Sequence, residues 1–269
     1  MEDNQKYDSF RIATPKVFED FFSHFYYAAN RSEHPLTKTF LPSYQTILIF
    51  NFGEKAVLHS AQNRQIKVGR CVVLGPIKQA FDYTLPVNSK IIVANFKNDA
   101  FYRFFGNASI AEGVPMNPDD LLNENCFTAL WNQLNRINDI NSRIDQILEF
   151  CKPYLRSSVA IAVQLKNFSD ETLNPIKAIA GENSQSERNI QLSHKKHFGY
   201  SAKEMIRYQR FLKAVELMQD IASGTGKVDW FEVISKCGYY DQSQLINDFK
   251  HYISLSPTKY LKFQQDICR

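Results

Sequence analysis

The chain has 269 residues and a formal net charge of +4 at pH 7. This length exceeds that of most single domains, so we expect two domains, each with a core of its own. Aromatic residues make up 13% of the sequence, which excludes a largely disordered chain. The apolar runs are far too short to span a bilayer and the first ten residues are polar, so we expect a cytoplasmic protein with no membrane partner.

The positive charge lies mostly in the C-terminal part. Residues 171–269 hold 14 Lys and Arg against 11 Asp and Glu, whereas residues 1–170 hold 18 against 17. This excess is too small to indicate nucleic-acid binding by itself, because phosphate contact depends on where the basic residues lie.

The cysteines are scattered, odd in number and without CxxC spacing. They are Cys71, Cys126, Cys151, Cys237 and Cys268. An odd set cannot pair completely, so we expect reduced thiols.

The first part of the chain is predicted to form strands, because short apolar segments alternate with Gly, Pro and Asn. These segments are Gln45–Phe52, Ala56–Ser60, Gln65–Val68, Cys71–Leu74, Phe81–Leu85 and Lys90–Phe96. Their spacing favours an antiparallel sandwich or small barrel. The preceding stretch, Lys16–Asn30, fits either a strand or a helix.

From Asp119 onward apolar residues recur every three or four positions, which predicts helices to the end of the chain. The predicted fold class is therefore α+β. We divide the chain into a β domain for sensing or dimerisation (1–118), a helical linker (119–168) and an all-α domain (169–269). An apolar face of the linker helices is a candidate dimer interface.

The C-terminal region repeats itself at an offset of 55 residues without gaps. The aligned pairs include Ile190 with Leu245, Lys195 with Lys250, and Gln209 with Gln264. Two copies of one unit are therefore present.

In the first copy, Ser184 and Glu187 predict a capping box at the start of a helix that ends at Gly199. Ser201 with Glu204 then begins a long helix. In this arrangement a short helix, a tight turn and a second helix precede a supporting helix, which is the helix-turn-helix plan.

In the second copy, Asp229 opens a short helix that stops at Gly238, Asp241 opens the next, and Ser256–Pro257 begins the last. Two tandem units of this kind can place their second helices in major-groove segments about 34 Å apart. The alternative is that the helical hairpins merely pack together, although two copies are fewer than the three or so that a repeat array needs.

The stretches IQLSHKKHFGYSAKEMIRYQRF (Ile190–Phe211) and ISKCGYYDQSQLINDFKHYISLSPTKYLKF (Ile234–Phe263) resemble the AraC/XylS regulators. The second is the more specific, through Gly238-Tyr239, Asp241-Gln242-Ser243, Phe249-Lys250 and Ser256-Pro257 with Tyr260. The resemblance covers roughly Leu173–Phe263. It implies a bacterial transcription regulator that binds double-stranded promoter DNA, and RNA polymerase as a further partner if the protein activates.

The first domain resembles the cupin-like sensor domains of such regulators more loosely. The likeness rests on LPSYQTILIFNFG (Leu41–Gly53) and on the turn at Gly75-Pro76. It implies that a small-molecule effector or a homodimer contact modulates DNA binding.

The chain departs from the family at three positions. His194 stands where the family has a large apolar core residue, and Leu192 and Asn247 replace basic residues of the reading faces. Losing two cations from a DNA-binding face is expected to weaken phosphate attraction and its salt dependence. Binding is therefore expected to be weak, unusual in sequence preference, or dependent on dimerisation.

The resemblance and the helical spacing together give a set of candidate DNA contacts. Those on the first reading helix are Arg188 and Gln191 for bases, with Lys195 and Lys196 nearer the phosphates. Those on the second are Gln242, Ser243, Gln244 and Asn247 for bases, with Lys250 contacting the DNA backbone. Arg suits guanine, whereas Gln and Asn suit adenine. The supporting helix offers Lys203, Arg207 and Arg210. Its two arginines form either contacts with the DNA backbone or intramolecular salt bridges.

Effector contacts are harder to predict. Candidates in the β domain are Phe50, Phe52, His59 and Phe96, and the alternative is that the apolar side chains of these strands simply fill the barrel. The histidines form no HxH pair, so we expect no metal and no cofactor. No catalytic motif is present, so we expect no enzyme.

Two rival hypotheses remain open at this point. The first is a module that has lost DNA affinity and works through protein contacts. The second is a cupin enzyme with a helical appendage, which would bind a metal.

Overall fold

The computed structural model describes residues 7–59, 65–108, 110, 114–170, 173–223 and 228–267. The chain divides into two compact units. The first contains Met1–Ile77 and Phe81–Tyr200, and the second contains Lys78–Ala80 and Ser201–Arg269. The first helix-turn-helix therefore belongs to the first unit and the second to the second unit.

The strands of the first unit form two antiparallel sheets. They are β1 (Tyr7–Ala13), β2 (Phe22–Asn30), β3 (Leu36–Phe40), β4 (Ile47–Gly53), β5 (Val57–His59), β6 (Gln65–Lys67), β7 (Cys71–Leu74), β8 (Phe81–Leu85) and β9 (Ser89–Phe96). One sheet has the order β1-β2-β9-β4-β7 and the other β3-β8-β5-β6. All described pairings are antiparallel, which confirms the predicted architecture.

Strand β4 shows how the larger sheet serves two cores. Its side chains alternate between the faces, as in any strand. Ile47 and Ile49 join the cluster shared with the smaller sheet. Leu48, Phe50 and Phe52 point the other way and join a cluster with the helices. The larger sheet is therefore covered on both faces.

The helices of the first unit are α1 (Ala100–Phe105), α2 (Pro118–Leu122), α3 (Cys126–Leu134), α4 (Ile140–Cys151), α5 (Ala160–Asn167), α6 (Pro175–Glu182) and α7 (Glu187–Phe198). Phe127 and Leu130 of α3, with Ile144 and Ile147 of α4, are buried in the same cluster as Phe50. The apolar face that the sequence offers as a dimer interface is thus packed on the sheet of its own chain.

The second unit contains α8 (Ala202–Ser223), α9 (Trp230–Cys237), α10 (Gln242–Ile253) and α11 (Pro257–Ile267). Phe211 of α8 lies at its centre, with ring centroids 5.0 Å from Phe249 and 4.7 Å from Tyr252. Antiparallel sheets followed by helices confirm the α+β class.

Several elements differ from the sequence-based expectations. The ambiguous stretch Lys16–Asn30 forms a single 3-10 turn at Lys16–Phe18 followed by β2. Strands β1 and β3 were not predicted, because their mixed polar and apolar residues lie at sheet edges and are largely exposed. Ser60, at the end of one predicted strand, lies outside the described residues.

Four of the cysteines are free thiols, and Cys268 lies outside the described residues. Burial raises the pKa of Cys71 to about 12. Within the described ranges, no helix combines the length and apolar character needed to cross a membrane.

Two helix-ending glycines differ in their surroundings, which gives a matched test of how α7 is held. Gly199 and Gly238 both have positive φ, of 80° and 73°. A Cβ on Gly199 would lie 2.5 Å from the carbonyl oxygen of Ala108, whereas a Cβ on Gly238 would meet nothing within 4 Å.

We expect Gly238→Ala to lower the free energy of unfolding by about 1 kcal/mol, the cost of a left-handed Ala. We expect Gly199→Ala to lower it by about 2–4 kcal/mol, because the clash adds to that cost. Urea unfolding followed by circular dichroism measures both. Equal costs for the two variants would show that Ala108 does not constrain the end of α7.

Candidate DNA-binding surface

The first helix-turn-helix consists of α6 and α7, and polar side chains begin both helices. Asn174 Oδ1 accepts a hydrogen bond from the backbone N–H of Ile176 at 2.9 Å. Ser186 Oγ accepts from the N–H of Asn189 at 3.2 Å. The predicted cap at Ser184 is wrong: Ser184 has a φ of 52° and lies in the turn, so the helix begins two residues later.

The second helix-turn-helix consists of α9 and α10 and follows the predicted capping. Asp229 begins α9 and Gly238 ends it in the left-handed conformation. Asp241 Oδ1 accepts from the N–H of Gln244 at 2.8 Å. The side chain of Gln244 turns back, and its Oε1 accepts from the N–H of Tyr240 at 2.9 Å. The Gln244 amide therefore supports the turn.

Helix α8 begins with the predicted capping box. Glu204 Oε2 accepts from the N–H of Ser201 at 2.7 Å, and Ser201 Oγ accepts from the N–H of Glu204 at 3.2 Å. Burial pushes the pKa of Glu204 upward, but hydrogen bonds from Lys78 and Ser201 outweigh it, so this pKa lies below its usual value.

The buried face of α7 accommodates a histidine. His194 is buried, and its Nδ1 donates a hydrogen bond to the carbonyl oxygen of Tyr200 at 2.8 Å. Its ring centroid lies 4.8 Å from that of Phe198. His194 therefore fills the core position that Phe249 fills in the second copy, with its polar atom satisfied.

The outer faces of α7 and α10 carry most of the predicted contacts. The exposed ones are Arg188, Gln191, Lys195, Lys196, Gln242, Ser243, Asn247 and Lys250, whereas Gln244 is half-buried. Four of them form two equivalent pairs in the repeat, because Arg188 and Lys195 of α7 match Ser243 and Lys250 of α10 at the 55-residue offset. Each helix thus presents residues i and i+7 on one outward face.

Lys196 lies at the edge of that face. Its Nζ is 5.7 Å from the ring centroid of Tyr102 on α1. The neighbouring His197 is buried, and its ring lies 4.4 Å from the same tyrosine. Helix α7 therefore packs on α1 with this edge while its outward face stays exposed.

The two arginines of α8 form intramolecular ion pairs. Arg207 Nε lies 2.6 Å from Asp248 Oδ1, and Arg210 Nη2 lies 2.7 Å from Asp248 Oδ2. Asp248 is 1% exposed, on the inner face of α10. Of the two alternatives the sequence left open for these arginines, the structure shows the salt bridges. Lys203 on the same helix is exposed.

Asp248 is a residue that sequence reasoning missed. The apolar spacing of Leu245, Phe249 and Tyr252 places position 248 on the same buried face, which was the available signal. A carboxylate there requires cations from a neighbouring helix, and the repeat partner Ser193 gives no hint of them.

The effector candidates of the β domain are separated by the sheet. Phe50, Phe52 and Phe96 belong to the cluster under the helices, whereas His59 Nε2 lies 2.7 Å from Thr84 Oγ1 on the smaller sheet. The gap between the sheets is lined by other side chains, including Phe40, Ile49, Leu58, Tyr83 and Val93. Its volume of about 10 Å³ is near the minimum for one water molecule.

Metal-ligating residues do not assemble within the described part of the chain, where no group of three or more His, Cys, Asp or Glu side chains is placed to hold an ion. His24 has a pKa below its usual value, because it is partly buried and lies near Arg11.

Comparison with known protein families gives a match for part of the helical region. The family model described as a helix-turn-helix domain matches residues 179–262. Comparison with curated proteins gave no match.

The solved structures to which this chain is similar include ToxT from Vibrio cholerae, at 14% identity and a TM-score of 0.41, covering 88% of this chain and 97% of that one. Wild-type ToxT from strain SCE256 with bound unsaturated fatty acid has 14% identity and a TM-score of 0.38, covering 86% and 96%. An RmlC-like cupin protein from Desulfovibrio desulfuricans covers 36% of this chain and 87% of its own, at 14% identity and a TM-score of 0.27.

The ion pairs of Asp248 provide a test of what holds α10. We expect Asp248→Asn to lower the free energy of unfolding by about 2 kcal/mol, less than for a fully buried pair because both arginines retain some contact with water. Asp241→Asn is the matched control, since Asn caps a helix as well as Asp, and we expect a change of only a few tenths. Chemical denaturation measures both, and similar values for the two variants would show that the ion pairs of Asp248 do not hold α10 in place.

Proposed function

We propose, from the AraC-type helix-turn-helix domain that residues 179–262 form, that this protein is a transcription regulator that binds specific sequences in double-stranded promoter DNA. The observation that carries the proposal is the repeated outward face. Helices α7 and α10 each follow a capped turn and each expose polar or basic side chains at equivalent positions. In helix-turn-helix proteins such a second helix lies in the major groove.

The charge of these faces supports phosphate contact. Lys195 and Lys250 occupy equivalent positions in the last turns of α7 and α10 and are both exposed. Neither has an ion-pair partner among the described residues. Two free cations at the same place in each copy suit two phosphates of a duplex.

We further propose that residues 169–269 act as the DNA-binding part and that the preceding residues, 1–118 with the helices of 119–168, modulate it. Modulation by an effector or by homodimer formation is supported by the packing of α7 on α1, through Tyr102 and His197. RNA polymerase is a partner if the protein activates. Because promoter DNA lies in the bacterial cytoplasm, the proposal places the protein there.

The deciding experiment measures binding of the full chain to a fluorescent duplex from upstream of its own gene at two salt concentrations. A specific complex that weakens with salt supports the proposal. No specific complex, with either the pure protein or added cell extract, would leave the rival that acts through protein contacts. Exposed Leu192 on α7 is the observation that motivates this rival.

The two lysines predict a measurable change in salt dependence. We expect Lys195→Ala and Lys250→Ala each to reduce the slope of log affinity against log salt by about 1, and to weaken binding to different sequences alike. Lys90→Ala, on an exposed position of strand β9, is the control and should leave the slope unchanged. A slope unaffected by both reading-helix variants would exclude these phosphate contacts.

A further inference from the structure

The centre of each outward face is occupied by an uncharged residue. Leu192 lies between Arg188 and Lys195 on α7, one turn from each. Asn247 lies in the same way between Ser243 and Lys250 on α10. Leu192 and Asn247 are equivalent at the 55-residue offset, so both copies present this position to the same part of a bound groove.

We propose that Leu192 and Asn247 each read an A·T base pair, Leu192 through the methyl group of thymine and Asn247 through the edge of adenine. This inference rests on the proposed function and names what its two reading helices recognise.

The exposure of Leu192 is not explained by packing within the chain. Its side chain is 59% exposed, whereas the apolar contacts of α7 are made on the opposite face by Ile190 and Phe198. In the major groove the only apolar group on a base edge is the C5 methyl of thymine. A leucine at the centre of a reading face therefore matches thymine and nothing on a G·C pair.

The amide of Asn247 is available for a base. Its side chain is exposed and makes no hydrogen bond within the part of the chain that the structure describes. Gln244, by contrast, already uses its amide oxygen on the backbone of Tyr240. An asparagine amide can donate to N7 and accept from N6 of adenine at once, a pairing that guanine does not offer.

The absence of a cation at these two positions points the same way. Arginine at the centre of a reading face would donate two hydrogen bonds to O6 and N7 of guanine. Leu192 offers no donor and Asn247 offers an acceptor that guanine O6 repels. The pair therefore favours A·T over G·C at both contacts, instead of merely weakening the attraction to phosphate.

The first experiment selects bound sequences from a random pool of DNA duplexes with the full-length protein. We expect an A·T pair at the position whose preference is lost in Leu192→Ala, and another at the position whose preference is lost in Asn247→Ala. Leu192→Arg and Asn247→Arg should shift those positions toward G, while Val17→Arg, at an exposed apolar site of the β domain, should not.

The second experiment changes one chemical group at a time in the selected DNA. Uracil in place of the thymine, which lacks only the methyl group, should weaken the wild type about fourfold and Leu192→Ala hardly at all. 7-Deazaadenine in place of the adenine should weaken the wild type about fivefold or more and leave Asn247→Ala unchanged. Each variant is the control for the other base, because each loses sensitivity to one replacement only.

The possible failures are distinct. If no duplex is enriched and none binds, the proposed function is wrong, and this inference, which rests on it, is wrong as well. If duplexes are enriched but neither alanine variant changes a base preference, or the changed positions carry G·C pairs, DNA binding stands and the A·T assignment is overturned. Variants that keep their sensitivity to both base replacements also overturn it.

Discussion

The orientation of helices α7 and α10 depends on one constraint, the burial of a single stripe of side chains in each. Ile190 and His194 bury the inner face of α7, and Leu245 and Phe249 bury that of α10. Burial of side chains of this size contributes about 1.5–3 kcal/mol each for the apolar ones, enough to fix which face points inward. Because the residues occupy equivalent positions in the repeat, the outward faces are fixed in the same register. Every functional assignment to residues of these faces follows from that register.

Each copy also buries one polar group, and each satisfies it differently. His194 needs a single acceptor and finds it on the backbone, at the carbonyl of Tyr200. Asp248 carries a charge and needs cations, which Arg207 and Arg210 supply from α8. Leaving either group unpaired would destabilise the fold by at least about as much as the loss of a helix cap does. The departure at His194 is therefore a change of core chemistry that keeps the helix in place, and it does not weaken the outward face.

Local rules predicted much of this structure, and tertiary choices account for what they missed. Strands such as β4 and β9 are predictable because their apolar runs are bounded by turn residues. The caps at Asp229 and Asp241 are predictable because a side-chain oxygen at a helix start accepts hydrogen bonds from the free N–H groups of the first turn. The cap of α7 was assigned to Ser184 instead of Ser186, since two serines fit the same signal and only the turn geometry separates them. The side of the sheet on which Phe50 lies, and the partner of Arg207, depend on elements distant in sequence. No local pattern contains that information.

The first unit joins the β domain to helix α7 by direct packing, and the proposed regulation would use this contact as its physical route. The aromatic ring of Tyr102 on α1 contacts His197 and Lys196 on the side of α7 next to its reading face. Helix α1 in turn packs on the larger sheet through Phe101 and Phe104. The gap between the sheets is nearly filled, so a ligand that entered it would have to displace the sheets or their side chains. Close-packed interiors transmit such displacements, and α1 is the element that lies between that sheet and α7. Coupling along this route requires two arrangements of α1 that favour different positions of α7.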